Sequence, residues 1–236
     1  MGKLTGLGDV DAVFFDVQGT LTDFATPVSE ALATELPRTT AEQRAELLVR
    51  WRQFWTANTS GSPDRRWRSS RSVYSDGLAE VARQLGITVD ADAHERLVDA
   101  WTQLRPWPDT GEGLSRLREH GVVVAAFSNA DTSVMVDVAR RHDWHWDLVL
   151  TAELVGHFKA HPDMYRTAIA SVAADPARCA LVASHPYDLA AAAEAGMRTA
   201  YIHRPGEFGG ATVPERPAPD AFDVVIDEVT ALVPEH

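Results

Sequence analysis

The chain is expected to be an α/β protein, a doubly wound parallel sheet carrying an inserted helical cap. Three observations predict this. Short apolar runs recur along the chain, helical patterns separate them, and one long stretch near the N-terminus has helical periodicity but no strand. The runs Ala12–Phe15, Val122–Phe127, Leu148–Leu150, Ala180–Ala183, Ala200–Ile202 and Val224–Ile226 have the continuous apolar character of strands covered on both faces. Between them, Thr110–Glu119, Thr132–His142, Pro162–Val172 and Tyr187–Ala195 are expected as helices. Gly121 and Gly196 follow two of these where a left-handed stop belongs. Strands that alternate with helices give a doubly wound sheet, whose ligands bind beyond the carboxyl ends of the strands.

The rhythm breaks between Phe24 and Arg105. Ala41–Trp55, Val73–Leu85 and Ala93–Leu104 are the best helices there, and Ser60–Asp64 reads as a loop. The organisation expected is a core domain of residues 1–23 and 106–236, interrupted by a helical cap of residues 24–105. The stretch Arg204–Pro219 is rich in Pro and Gly and reads as a surface loop before the last strand.

Composition narrows the function classes. Hydrophobic residues make up 45% and charged residues 24% of 236 residues, an ordinary globular mix. A formal net charge of −12 argues against a broad nucleic-acid or anionic-membrane surface, while leaving room for a local basic pocket. Cys179 is the single cysteine, which excludes an intrachain disulfide and a cysteine-based metal site. Met1–Val10 has no basic segment followed by an apolar stretch, and no run reaches the roughly 18 apolar residues of a membrane span. The expectation is a soluble, cytoplasmic protein. His142, Asp143, His145 and Asp147 alternate with Trp144 and Trp146 and read as a helix-to-strand connection rather than a metal cluster.

Chemistry gathers at the strand ends. The first core strand runs into Asp16-Val17-Gln18-Gly19-Thr20, which puts a carboxylate where such sheets bind ligands. Gly19 permits a tight turn, and Thr20 can hydrogen-bond within it to fix the aspartate rotamer. The second core strand delivers Ser128-Asn129. Lys159 follows Leu148–Leu150, and Ser184-His185-Pro186-Tyr187-Asp188 follows Ala180–Ala183. One edge of the sheet therefore collects Asp16, Ser128, Lys159 and Asp188.

That order of motifs resembles the haloacid dehalogenase superfamily across nearly the whole chain, including the cap between the first two motifs. Within it the sequence is most similar to the L-2-haloacid dehalogenase branch. Trp51-Arg52-Gln53 resembles that branch's arginine motif, Tyr165 lies six positions after Lys159, and Asp188 sits in a Tyr-Asp pair where the branch has Trp-Asp. The resemblance implies a hydrolase without cofactor or metal. Asp16 would displace halide from C2 of a short haloacid with inversion, leaving an aspartyl ester. Lys159 and Ser128 would hold the substrate carboxylate and the aspartate, Arg52 would cradle the halide, and Asp188 would orient Lys159 and help activate water. Gln18, Thr20, Gln53, Asn129, Tyr165 and His185 complete the expected substrate-binding set. The branch also implies a homodimer, with the apolar cap helices as its interface.

Most of the superfamily transfers phosphoryl groups with Mg²⁺, using a second acid two residues after the nucleophile. Here that position is Gln18, and Ala183-Ser184 replaces the usual Gly-Asp pair. An unscreened carboxylate about 4 Å from a phosphate charge costs roughly 4 kcal/mol at an effective dielectric near 20. Without a metal, Asp16 is better suited to a neutral carbon, and halide leaves without a proton. Two positions depart from the branch: Ala183 and His185 stand where it places Ser and Asn.

Overall fold

The six apolar runs become six parallel strands whose order side by side differs from their order in the chain. The computed structural model describes residues 2–60, 66–210 and 212–234. The segment 61–65, which holds most of the expected Ser60–Asp64 loop, lies outside them. A hairpin of β1 (Gly2–Leu4) and β2 (Gly8–Val10) leads into β3 (Ala12–Phe15). There follow β4 (Thr22–Asp23), α1 (Ala25–Glu35), α2 (Ala41–Thr59), α3 (Ser70–Leu85), α4 (Ala91–Ala100) and β5 (Arg105–Pro106). The rest alternates: α5 (Thr110–Glu119), β6 (Val123–Ser128), α6 (Thr132–His142), β7 (Leu148–Thr151), α7 (Ala152–Val155), α8 (Pro162–Val172), β8 (Cys179–Ala183), α9 (Pro186–Glu194), β9 (Arg198–Ile202) and β10 (Val224–Ile226).

The sheet order is β10-β9-β8-β3-β6-β7. The chain winds outward from β3 to β6 and β7, then crosses to β8 on the other side, so β3 is the topological switch point. Its register sets Phe15 opposite Ala126 and Val182, and the next residue, Asp16, leaves the sheet between its two neighbours. Alternate residues feed two cores. Val13, Phe15, Val124 and Val182 pack on one face, and Phe14, Phe127, Leu181 and Ala183 on the other. Gly121 and Gly196 have φ of 72° and 85° as the helix stops require.

The helical segment leaves and rejoins the sheet domain through one antiparallel pair, in which Thr22 faces Pro106 and Asp23 faces Arg105. Its helices pack by aromatic side chains. Tyr74 stacks on Trp101 with centroids 4.2 Å apart and on Trp55 at 5.5 Å. A capping box of Thr40 and Gln43 starts α2.

Several expectations need correction. The helix read over 93–104 stops at Ala100, because the chain must turn back towards the β4–β5 pair. Helix α1 was not among the helices expected; it buries Ala25, Val28 and Leu32 at helical spacing but starts with a proline in its first turn. The stretch after β9 is not simply surface, since Arg204 and Glu207 are buried in it. Among the described residues, no helix is long and apolar enough to cross a membrane.

Candidate active site

The carboxyl ends of β3, β6 and β8 and the loop after β7 converge on one ion network. Asp16 has its backbone N–H tied to the Val182 carbonyl at 3.0 Å, which fixes its Cα at the sheet edge. The Thr20 hydroxyl donates to Asp16 Oδ2 at 2.6 Å, and the Ser184 N–H in turn donates to Thr20 Oγ1 at 3.0 Å. Lys159 Nζ spends all three of its protons: on Asp16 Oδ1 at 2.8 Å, Asp188 Oδ2 at 2.6 Å and the Phe127 carbonyl at 2.9 Å. Burial alone would raise the Asp16 pKa. The Lys159 and His185 charges outweigh it and hold the carboxyl well below its usual range. Burial likewise disfavours a charged Lys159, but Asp16 and Asp188 together keep the ammonium above its ordinary value.

Asp188 lies in the first turn of α9 and is 0% exposed. Its Oδ1 accepts the Tyr165 hydroxyl at 2.6 Å and its Oδ2 accepts Lys159. Burial raises its pKa in spite of the neighbouring ammonium. With each oxygen already engaged, Asp188 suits the orientation of Lys159 better than the activation of water. Tyr165 is buried on α8, and burial and the Asp188 charge push its phenol far up, so it remains a hydrogen-bond donor.

Donors remain unspent on the β6 side. Asn129 accepts the Lys159 backbone N–H on Oδ1 at 2.7 Å, while its buried Nδ2 has no partner. Ser128 Oγ accepts the Ala130 N–H at 3.1 Å, which leaves its own proton available. Two free donors beside a buried cation suit an incoming carboxylate.

On the helical segment, Arg52 of α2 is 5% exposed and has no carboxylate partner among the described residues. Its guanidinium lies 4.3 Å from the Trp55 ring centroid and 4.7 Å from that of Phe24, both within cation–π range. One nitrogen donates to the Tyr74 hydroxyl at 3.0 Å, and that hydroxyl donates to Gln18 Oε1 at 3.3 Å. The chain Arg52–Tyr74–Gln18 thus joins the cap to the Asp16 loop. Tyr74 was not read from the sequence; burial pushes its phenol up to about 12. Gln53, expected at the substrate, is exposed, and it lines with Arg52, Phe208 and Thr212 a groove on the outer side of α2. Asp131 fastens the two sides by accepting the N–H groups of Ser70 and Arg71 at 2.7 and 3.3 Å.

The donor set does not fit Mg²⁺. Every oxygen of Asp16 and Asp188 already accepts from Lys159, Thr20, His185 or Tyr165, and Gln18 supplies no anion. A divalent ion would have to sit beside an ammonium that the two acids already share. His157, His161 and Asp163 form a second cluster of metal-ligating types. The two imidazole rings stack 3.8 Å apart at 12°, so their in-plane lone pairs cannot meet at one ion.

Comparison with known proteins identifies the class. A model of the haloacid dehalogenase-like hydrolases matches residues 10–196, and the chain belongs to that family. Within it, the chain falls in the L-2-haloacid dehalogenase branch. An (S)-2-haloacid dehalogenase of Pseudomonas putida is 25% identical over 203 residues, covering 83% of this chain and 86% of that protein. A crystal structure of an L-2-haloacid dehalogenase is 32% identical, with a TM-score of 0.81 over 93% of this chain and 96% of that one. A defluorinating L-2-haloacid dehalogenase is 26% identical, with a TM-score of 0.82 over 97% and 96%.

Proposed function

We propose that the protein hydrolyses the carbon–halide bond of a short (S)-2-haloacid to give the (R)-2-hydroxy acid through an ester on Asp16. The observation that carries this reading is Arg52, a buried guanidinium boxed by aromatic rings and, among the described residues, lacking a counter-ion, as a site for a departing anion requires. Asp16, kept ionised by Lys159, attacks C2 from the face opposite the halide. The carboxylate–C2 bond forms, the C–X bond breaks, and halide leaves with its electron pair towards Arg52. Ser128 and Asn129 hold the substrate carboxylate with their unspent donors. Thr20 and Gln18 keep the nucleophile loop in place, and Asp188, braced by Tyr165, fixes Lys159. Water then attacks the ester's Cγ, so C2 keeps its inverted configuration. The relatives named above, (S)- and L-2-haloacid dehalogenases, support this substrate class.

Residues 24–105 act in this scheme as a cap that closes the site, hinged at the β4–β5 pair. A homodimer is the assembly the branch suggests. The large exposed apolar side chains among the described residues are Leu154, Tyr187 and Val213, none on the cap helices, so a dimer would use the core domain.

The test is halide release from (S)- and (R)-2-chloropropionate, chloroacetate and fluoroacetate, with and without chelator. Release from the (S) enantiomer, inverted product and indifference to chelator are expected. Mg²⁺-dependent turnover of a phosphate ester with no halide release would overturn the reading.

A further inference from the structure

His185 stands just past β8 and Glu207 in the turn after β9, so two adjacent strands deliver them to one place. His185 Nδ1 is 3.1 Å from Asp16 Oδ2, and Nε2 is 2.8 Å from Glu207 Oε1. Ionised carboxylates only accept, so a ring held between two of them carries a proton on each nitrogen. The geometry therefore describes an imidazolium. Burial alone would lower the His185 pKa, but Glu207 and Asp16 together raise it well above the usual value.

Glu207 is 1% exposed, and among the described residues His185 is its one side-chain hydrogen-bond partner. Arg204, three residues earlier, is spent on Asp109 and the Thr20 carbonyl. Glu207 is also packed against the nucleophile loop: a Cβ on Gly19, whose φ is +91°, would lie 2.4 Å from its Oε1. A buried carboxylate with a single cationic partner, set against the Asp16 turn, serves that partner.

What it does follows from the charge that the reaction removes. In the free enzyme His185 faces two anions. Once Asp16 is an ester, it faces one, and without Glu207 a buried imidazolium would shed its proton. We propose that Glu207 is a positioning residue that keeps His185 protonated through the ester intermediate, so that a cationic donor stays on the ester's carbonyl oxygen while water attacks. This rests on the aspartyl-ester reading above. Oδ1 forms the bond to C2, and Oδ2, already receiving Thr20 and His185, becomes the carbonyl oxygen. Water adds to Cγ and the electron pair moves onto Oδ2, where both donors hold it. Collapse breaks the Cγ–Oδ1 bond. One water proton ends on the product hydroxyl, the other passes to solvent, and Asp16 returns as carboxylate; His185 keeps its proton throughout.

The other titratable groups facing the pair are Lys159 beyond Asp16, Tyr187 with its ring centroid 5.8 Å from that of His185, and Tyr201 on β9. The required form is the protonated one, so lowering the histidine's pKa makes hydrolysis fail from a lower pH upwards. Glu207→Gln keeps the shape and removes the charge. Single-turnover halide and hydroxy-acid release should be followed from pH 6 to pH 9, with intact-mass detection of the ester. At pH 9 the variant should keep a one-equivalent halide burst, hydrolyse the ester at least tenfold more slowly than wild type, and accumulate the adduct. At pH 6 the gap should close to within about threefold. In a His185→Asn background, whose amide is a neutral donor, Glu207→Gln should bring no further pH dependence. A loss equal at every pH, or a wild-type profile in the variant, would overturn the proposal. If Glu207→Gln does not fold, His185→Asn alone decides: with a neutral donor in place of the cation it must slow ester hydrolysis by the same factor at pH 6 and pH 9 while keeping the halide burst, and unchanged hydrolysis would overturn the proposal. Absence of any halide burst in wild type would instead count against the ester reading itself.

Discussion

In the core domain, Lys159 and His185 are interleaved with Asp16, Asp188 and Glu207, and every charge has an opposite one within 3.1 Å. On the cap side, Arg52 is buried nearly as deeply but, among the described residues, has aromatic faces and a phenol in place of an anion. Both regions hold cations out of water, which is costly unless the charge is compensated. The core side compensates within the protein, and its geometry is fixed before substrate arrives. The cap side leaves the compensation to a ligand. Saturation marks the machinery, and the unpaired charge marks the place where something binds.

Removing the cation from each side should therefore have different consequences. Lys159→Met leaves Asp16 and Asp188 buried together with no charge between them. A loss of about 3–5 kcal/mol of stability is expected, with turnover abolished, measured by urea unfolding and halide release. If the variant were as stable as wild type, the core network would not be the internally compensated unit described.

Arg52→Met should cost turnover without costing the fold. Loss of one preorganised donor to developing charge lowers kcat/KM by about 10²–10³. Stability should be unchanged or higher, because an uncompensated buried charge is replaced by a side chain that packs among Phe24 and Trp55. Bromide at 100 times its dissociation constant should stabilise wild type by about 2.7 kcal/mol and leave the variant unmoved. A destabilised Arg52→Met would show that the guanidinium is structural and would collapse the contrast between the two sides.

The same contrast separates what could be read in the sequence from what could not. Asp16, Ser128, Asn129, Lys159, His185 and Asp188 were legible because each follows a strand, and parallel strands in a doubly wound sheet end on one edge. Glu207 obeys the same rule, five residues beyond the β9 strand, but the Pro-Gly composition around it reads as surface. The cap side has no such rule. Arg52 was legible through its motif, whereas Tyr74 is one aromatic position among several on helices whose crossing no local pattern fixes.

Tyr165→Phe tests the core side more gently. It leaves Asp188 Oδ1 buried without its donor, at an expected cost of about 1–3 kcal/mol in stability. The Lys159–Asp188 contact remains, so turnover should fall by about tenfold rather than disappear. A Phe variant with unchanged stability would mean that Asp188 finds another donor and that the network is looser than its distances suggest.

Tyr74→Phe is the smallest expected change and addresses the link between the two sides. The ring keeps its stacking on Trp101 and Trp55, so only the hydroxyl bridging Arg52 and Gln18 is lost. Stability should change by about 1 kcal/mol or less, since Arg52 can turn the freed donor towards a ligand. The effect belongs in KM, because the bridge orients Arg52 before substrate binds and takes no part in bond making. The shape of the pH profile should also stay the same: the phenol ionises only near 12, so below pH 10 wild type and variant differ by a neutral hydroxyl, not by a charge. A variant that lost an alkaline limb present in wild type would show that Tyr74 ionises in the working range. The cap side would then hold an anion of its own, and Arg52 would no longer be the unpaired charge on which the contrast depends.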